Sequence, residues 1–340
     1  MKSNEHVWVV ILAAGEGKRV SALTRDRWGN PAPKQFSSID GRSTLLATTL
    51  ERAKKIAPVE RIVPIVAPQH QCWWARELVE IPSGNVIVQP ENRGTAAGIL
   101  LPLLRVTRHD PGAVLVILPS DHGVTSEATL NSAIIDATVS AGRSGAGLVL
   151  LGVRPGRPET GYGWIVPRPG ESGRLQPISS FCEKPDAVTT ASLFDGGALL
   201  NSFITVARGQ FLLNLFETVL PQLWRAFQPV LNHQSDILRN GGDVTQMYRS
   251  VPSLDFSKDL LEQAAEKLWV YPVPACGWLD LGTPARLAGH LIEHRRGTGG
   301  GSTQTVARGL GQATRHVTAK RLELCETVEM STRVSAHIGA

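Results

Sequence analysis

From Val7 to Ala14 the chain is apolar without a break, and it then turns directly into Gly15-Glu16-Gly17. A strand that offers neither face to water has to be covered on both sides, as in parallel sheets whose crossover helices pack above and below. The same texture recurs. Residues 61–66, 86–88, 113–118 and 148–153 read as further strands, with helices expected over 69–79 and 95–108. Leu46, Leu50 and Ala53 recur at helical spacing on a helix opened by Ser43. Strands alternating with helices predict an α/β fold with a Rossmann-like, mixed but mostly parallel sheet flanked by helices. After residue 153 the pattern changes. Residues 161–167 and 175–183 are strand-like with turns between them and predict a smaller antiparallel extension, before helices resume near Gln210 and a last strand at 269–273.

The opening apolar run is strand-length, and nowhere do about 18 apolar residues run together. No basic n-region, long apolar core or small-residue cleavage site surrounds it. The expectation is a soluble chain without signal peptide or membrane span. Cys72, Cys182, Cys276 and Cys325 are widely spaced and form no C-x-x-C pair, which predicts neither a disulfide framework nor a zinc site and fits a reducing, cytoplasmic setting. The formal charge of +5 is concentrated late: residues 291–340 carry seven Lys+Arg against four Asp+Glu. A basic balance placed there gives no argument for nucleic-acid binding by the main domain.

Chemistry-bearing residues cluster where strands end. Gly15 and Gly17 permit a tight turn whose backbone N–H groups can approach a phosphate, with Lys18 and Arg19 supplying charge. Val20 stands where a dinucleotide fingerprint needs its third glycine, and Lys18 is not followed by the rest of a P-loop. Pro33-Lys34-Gln35-Phe36 follows a Gly/Pro-rich loop. Pro119-Ser120-Asp121-His122 follows residues 113–118, so Asp121 falls in the crevice where open α/β sheets bind ligands, and its hard oxygens suit magnesium. Asp280, in Gly277-Trp278-Leu279-Asp280-Leu281-Gly282, offers a second carboxylate.

In this order these segments resemble the sugar-nucleotidyltransferase family, and within it the mannose-1-phosphate guanylyltransferase (GDP-mannose pyrophosphorylase) branch. The family's G-x-G-T-R and P-K-Q are matched by Gly15-Glu16-Gly17-Lys18-Arg19 and Pro33-Lys34-Gln35. The branch is matched at Gln89-Pro90-Glu91-Asn92-Arg93-Gly94-Thr95-Ala96, Pro119-Ser120-Asp121-His122, Gly161-Tyr162-Gly163 and Phe181-Cys182-Glu183-Lys184-Pro185-Asp186. It is matched again at Asn201-Ser202, Ser253-Leu254-Asp255-Phe256 and Trp278-Leu279-Asp280-Leu281-Gly282. The resemblance runs from about residue 7 to 290. The chain departs from the pattern at Ala14 and Lys18, at Gly94 and Gly98, and at Phe203-Ile204, where a glycine is usual. It departs also in a longer loop between Arg19 and Lys34, and at Leu260-Leu261, where the family often has Glu-Lys.

What the resemblance implies is a nucleotide-diphospho-sugar transferase fold whose antiparallel extension binds sugar. The catalytic domain would span residues 1–296, with a nucleotide half of about 1–150 and a sugar-phosphate half of about 151–296. Residues 297–302 are a Gly-rich linker, and residues 303–340 form a tail with one strand expected over 321–330, suited to docking or oligomerisation. The implied activity transfers a nucleotidyl group from GTP to mannose 1-phosphate. The alternatives are another pair of nucleoside triphosphate and hexose 1-phosphate, or a non-catalytic sugar-nucleotide-binding regulatory relative. Arg19, Lys34 and Asp121 would be catalytic. Leu12, Ala14, Gly15, Gly17, Lys18, Arg19, Gln89, Gly94 and Thr95 would bind the nucleotide, and Gly163, Glu183, Lys184 and Asn201 the sugar phosphate. Asp121 and Asp280 would hold Mg2+. The expected partners are the two substrates and a second copy of the chain, with neither nucleic acid nor membrane.

Overall fold

β1 (Val7–Ala13) sits inside a nine-stranded sheet that runs, in spatial order, β3 (Ile87–Val88), β2 (Ile62–Val66), β1, β4 (Val114–Pro119), β9 (Leu199–Arg208), β6 (Leu148–Val153), β10 (Trp269–Val273), β8 (Gln176–Glu183) and β7 (Gly163–Pro167). The computed structural model describes residues 5–17, 20, 21, 23–26, 28–38, 42–170, 173–232, 242–283 and 286. The chain divides into two units, Met1–Leu287 and Ala288–Ala340, and no residue of the second is among those described. The expected linker, tail and strand over 321–330 therefore lie outside the described residues.

The alternation within β1 explains its place. Val7, Val9, Ile11 and Ala13 pack with Leu46 and Leu50 of α1 (Leu45–Lys54) and Leu130 and Ile134 of α4 (Glu127–Ser144). Trp8 and Val10 belong to the opposite layer, with Leu100 and Leu104 of α3 (Gly94–His109) and Phe216 of α6 (Gly209–Val219). Each large apolar side chain buried this way stabilises the fold by about 1.5–3 kcal/mol, so a polar residue on either face of β1 is costly. The opener of α1 is Thr44 rather than Ser43: its side chain accepts from Ala47 N at 3.0 Å. The helix expected over 69–79 is shorter, a 3-10 turn Pro68–His70 running into α2 (Gln71–Glu77).

β2 (Ile62–Val66), β3 (Ile87–Val88) and β4 (Val114–Pro119) run parallel to β1. β1 lies between β2 and β4, so the strand order reverses there. β9 (Leu199–Arg208) is antiparallel to both β4 and β6 (Leu148–Val153), and β10 (Trp269–Val273) is parallel to β6. β7 (Gly163–Pro167) and β8 (Gln176–Glu183) are the antiparallel extension. They continue the main sheet instead of forming a separate lobe. Between β8 and β9 runs α5 (Ala187–Asp195), capped by Asp186, which accepts from Thr189 N at 2.7 Å. A second sheet has two strands, β5 (His122–Gly123) and β11 (Leu279–Asp280), paired so that Asp280 faces His122. Among the described residues no helix is long and apolar enough to cross a membrane, and Cys72, Cys182 and Cys276 are free thiols.

Candidate active site

A cleft of about 720 Å3 opens over the C-terminal ends of β1 and β4, at the reversal of strand order where doubly wound sheets bind ligands. Its floor is tied across the two strands: Ser120 Oγ donates to Leu12 O at 2.7 Å. The Ala14–Gly17 turn beyond β1 is held from below by Gln35, whose Nε2 donates to Ala13 O at 2.9 Å and Gly15 O at 2.7 Å. Gly17 has φ +61°, and a β-carbon there would lie 2.9 Å from Lys34 N. Only glycine lets the turn rest on the 3-10 segment Lys34–Phe36. Lys18 and Arg19 lie outside the described residues.

That contact carries Lys34 into the interior, where it is 3% exposed. Its Nζ donates to Asp121 Oδ2 at 3.0 Å and to Asp280 Oδ1 at 2.8 Å. The β5–β11 pairing brings these two carboxylates together from positions far apart in the chain. They fit Mg2+, which takes one or two carboxylates, keeps several waters and completes its shell with substrate phosphates. Among the described residues no group of three or more His, Cys, Asp or Glu is placed for a metal, and two carboxylates are what this part of the cleft offers a cation.

His122 borders the site without joining it. Trp278 Nε1 donates to His122 Nδ1 at 3.2 Å, which leaves the proton on Nε2, 3.6 Å from Asp121 Oδ1. Burial pushes the imidazole below its ordinary pKa against the pull of Asp121 and Asp280. It is therefore neutral near pH 7. For Asp280, burial alone would raise the carboxyl, but His122 once protonated in acid, together with Lys34 and Arg286, outweighs it and holds the group below the usual carboxylate range. Two negative oxygens and one buried ammonium are thus fixed side by side.

One end of the cleft is the N-terminus of α3, where Gly94 N already donates to Asn92 Oδ1 at 3.0 Å and the positive end of the helix dipole favours an anion or an acceptor. Gly94 begins it with φ +81°, and a β-carbon there would run into the backbone of Leu254. Leu254 is held in that position, for Ala96 N donates to Leu254 O and Phe256 N to Thr95 Oγ1. Gly94→Ala combines left-handed strain with a backbone collision and is expected to cost about 2 kcal/mol in urea unfolding. A variant as stable as wild type would show that the Leu254 segment is free to move away. Beside α3, Gln89 is 4% exposed and its Oε1 accepts no hydrogen bond.

The segment beyond Leu254 is a π-helical turn, Phe256–Leu261, capped by Asp255, which accepts from Ser257 N and Lys258 N. It explains the departure at Leu260-Leu261: both are fully buried in the core, and Ser257, Lys258 and Asp259 line the cleft. Such one-turn π segments commonly occur at functional sites.

At the other end, Gly163 of β7 faces Glu183 of β8, and a β-carbon at Gly163 would lie 2.6 Å from Glu183 Oε2. Glu183 Oε1 is paired with Lys184 Nζ at 2.6 Å, yet burial still pushes the Glu183 carboxyl up. Lys184 has φ +48° and Phe203 φ +63°. The second value explains the glycine usual after Asn201-Ser202. Phe203 adopts the conformation a glycine would, held by Phe203 N donating to Asn201 Oδ1 at 3.0 Å.

Leu12, Ala14, Gly15, Gly17, Gln89, Gly94, Thr95, Asp121, Gly163, Glu183, Lys184, Asn201 and Asp280 all line this one cleft. Lys34 lies behind it. Sequence reasoning singled out neither Gln35, Tyr162, Trp278 and Lys258 nor Phe203 and Arg286 as site residues. The Pro33-Lys34-Gln35 run already contained the signal for Gln35; nothing local marks Arg286.

A family model described as Nucleotidyl transferase matches residues 8–290. The xanthan biosynthesis protein XanB of Xanthomonas campestris pv. campestris is 32% identical over 289 residues, covering 81% of this chain and 57% of that protein. Mannose-1-phosphate guanylyltransferase RfbM of Salmonella typhimurium is 30% identical over 281 residues, covering 81% and 56%. The chain thus spans a little more than half the length of these relatives. A crystal structure described as a mannose-1-phosphate geranyltransferase from Thermus thermophilus superposes with a TM-score of 0.70 at 26% identity, covering 82% of this chain and 76% of that one.

Proposed function

This chain belongs to the nucleotidyl transferase family, and from that membership we propose that it transfers a nucleotidyl group from a nucleoside triphosphate, GTP first, to a sugar 1-phosphate, mannose 1-phosphate first. The observation that carries the reading is the meeting of Asp121 and Asp280 around Lys34 Nζ at the reversal of strand order. An oxygen of the sugar phosphate attacks the α-phosphorus, the bond to the β-phosphate breaks, and pyrophosphate leaves. Both reactants are polyanions, so the task is positioning and charge stabilisation.

The Gly15–Gly17 turn, with Lys18 and Arg19, receives the β- and γ-phosphates. Lys34 stabilises charge at the α-phosphoryl group. Asp121 and Asp280 would hold Mg2+, which when bound supplies a template and Lewis-acid charge. Lys184 anchors the sugar phosphate. Asn201 Oδ1 is already engaged by Phe203 N, so its amide is left to donate to a sugar hydroxyl, while Glu183 Oε2 accepts. A neutral, Trp278-bound His122 fits a reaction that needs no general base, since a phosphate monoester is ionised near pH 7. Gln89 Oε1, buried and unpartnered, suits a base that presents N–H donors, as guanine does. Homologue names support the same pair. We place the reaction in the cytoplasm, with self-association through the tail.

A matrix of nucleoside triphosphates against sugar 1-phosphates, read by pyrophosphate release with Mg2+, tests this. GTP with mannose 1-phosphate is expected to give the highest kcat/KM. Binding without turnover across the whole panel would instead support a regulatory sugar-nucleotide-binding role.

A further inference from the structure

The geometry points to Arg286 as a positioning residue that fixes Asp280 and the Gly161-Tyr162-Gly163 loop with one guanidinium, so the cation end and the sugar end of the cleft are set together. This rests on the transferase reading for the identity of the two ends. Arg286 Nη1 donates to Asp280 Oδ2 at 3.4 Å and Nη2 to Glu159 Oε2 at 2.8 Å. The guanidinium lies 4.0 Å from the centre of the Tyr162 ring. Its side chain is 12% exposed, so it is not a solvated surface cation.

Each contact constrains something different. Asp280 Oδ1 faces Lys34 and Oδ2 faces Arg286, so rotating the carboxylate breaks one contact or the other. Glu159 also accepts from the exposed Arg157 at 2.7 Å, and its backbone carbonyl accepts from the buried Trp164 Nε1 at 2.9 Å, so the carboxylate that meets the guanidinium is tied at its backbone to β7. A β-carbon at Gly161 would lie 3.0 Å from Arg286 Nη2, so the absence of a side chain there lets the loop lie against the guanidinium. An aromatic path joins the same groups from the other side. Tyr162 packs on Trp278 with ring centres 5.6 Å apart, and Trp278 holds His122 beside Asp121. Asp280, Lys34, Asp121, His122, Trp278, Tyr162 and Arg286 therefore close a ring, and Arg286 is its link between carboxylate and aromatic wall. A guanidinium provides charge, a fork and a stacking plane at once; an ammonium provides only the charge.

Arg286→Gln and Arg286→Lys in the full chain separate these functions. Mn2+ binding is read by the electron paramagnetic resonance of the free ion, KM is measured for each substrate, and thermal unfolding checks the fold. Arg286→Gln is expected to weaken Mn2+ binding about tenfold or more and to raise KM for the sugar 1-phosphate about tenfold, with KM for the nucleotide within about twofold. Arg286→Lys is expected to recover Mn2+ binding but not the sugar KM. Folded Arg286→Gln with both values close to wild type overturns the proposal. So does a parallel rise in both KM values with a lowered Tm and no Mn2+ rescue by lysine, which marks a general prop. A wild type that holds no Mn2+ overturns it as well. If wild type releases no pyrophosphate with any pair, the transferase reading fails, and the Mn2+ arm with calorimetric titration of mannose 1-phosphate still decides the role of Arg286.

Discussion

Lys34→Met is expected to lower turnover by more than about a hundredfold, or roughly 2.7 kcal/mol of transition-state stabilisation. It is also expected to make stability depend on a divalent cation. The ammonium is nearly buried between Asp121 and Asp280, and methionine keeps the length of the side chain while removing its charge. Two neighbouring carboxylates are then left with no cation between them. Removing one partner of a fully buried pair costs about 3–5 kcal/mol. Asp121 is 40% exposed and Asp280 20%, and water reaches both, so about 1–2 kcal/mol is expected here in EDTA. Mn2+ should restore much of the lost Tm. Turnover within a few fold of wild type would remove Lys34 from the mechanism. A Tm insensitive to Mn2+ would show that the carboxylates do not act as a pair.

Legibility in the sequence followed the range of the interactions. β1, β2 and β4 were readable because a strand buried on both faces writes its burial into consecutive residues. Asp121 was readable from its place at a strand end. Asp280 was readable as a second carboxylate beyond an apolar strand, but what brings it to Asp121 was not, because a two-residue strand has no periodicity and its pairing with His122 joins distant parts of the chain. Lys34 was expected in the site only from the Pro33-Lys34-Gln35 match; the close approach of Gly17 shows what carries it inward. Phe203 and Leu260-Leu261 looked like departures from the pattern. The backbone absorbs both, the first by a left-handed φ and the second by a π-helical turn. Arg286 carries no signal at all, since its partners come from residues 159–162 and 280.

Asp280→Asn and Asp121→Asn should both lose more than about a hundredfold in turnover, yet differ in stability. Asparagine keeps the shape and removes the charge. At Asp280 the charge serves two cations, Lys34 and Arg286, and the carboxyl is mostly buried. At Asp121 it serves Lys34 from a more exposed position. Asp280→Asn is therefore expected to destabilise by about 2 kcal/mol at pH 7, and Asp121→Asn by less than about 1 kcal/mol. The sign with pH follows from the lowered pKa of Asp280. A carboxyl depressed in the folded state contributes stability that is present above the unfolded value, about 3.9. That contribution is lost as pH falls through the folded value. Urea unfolding should show the gap between wild type and Asp280→Asn at pH 7 and its closure below about pH 4. A gap that persists unchanged into acid would mean that asparagine damages packing there and that the charge of Asp280 is not what holds β11 in place.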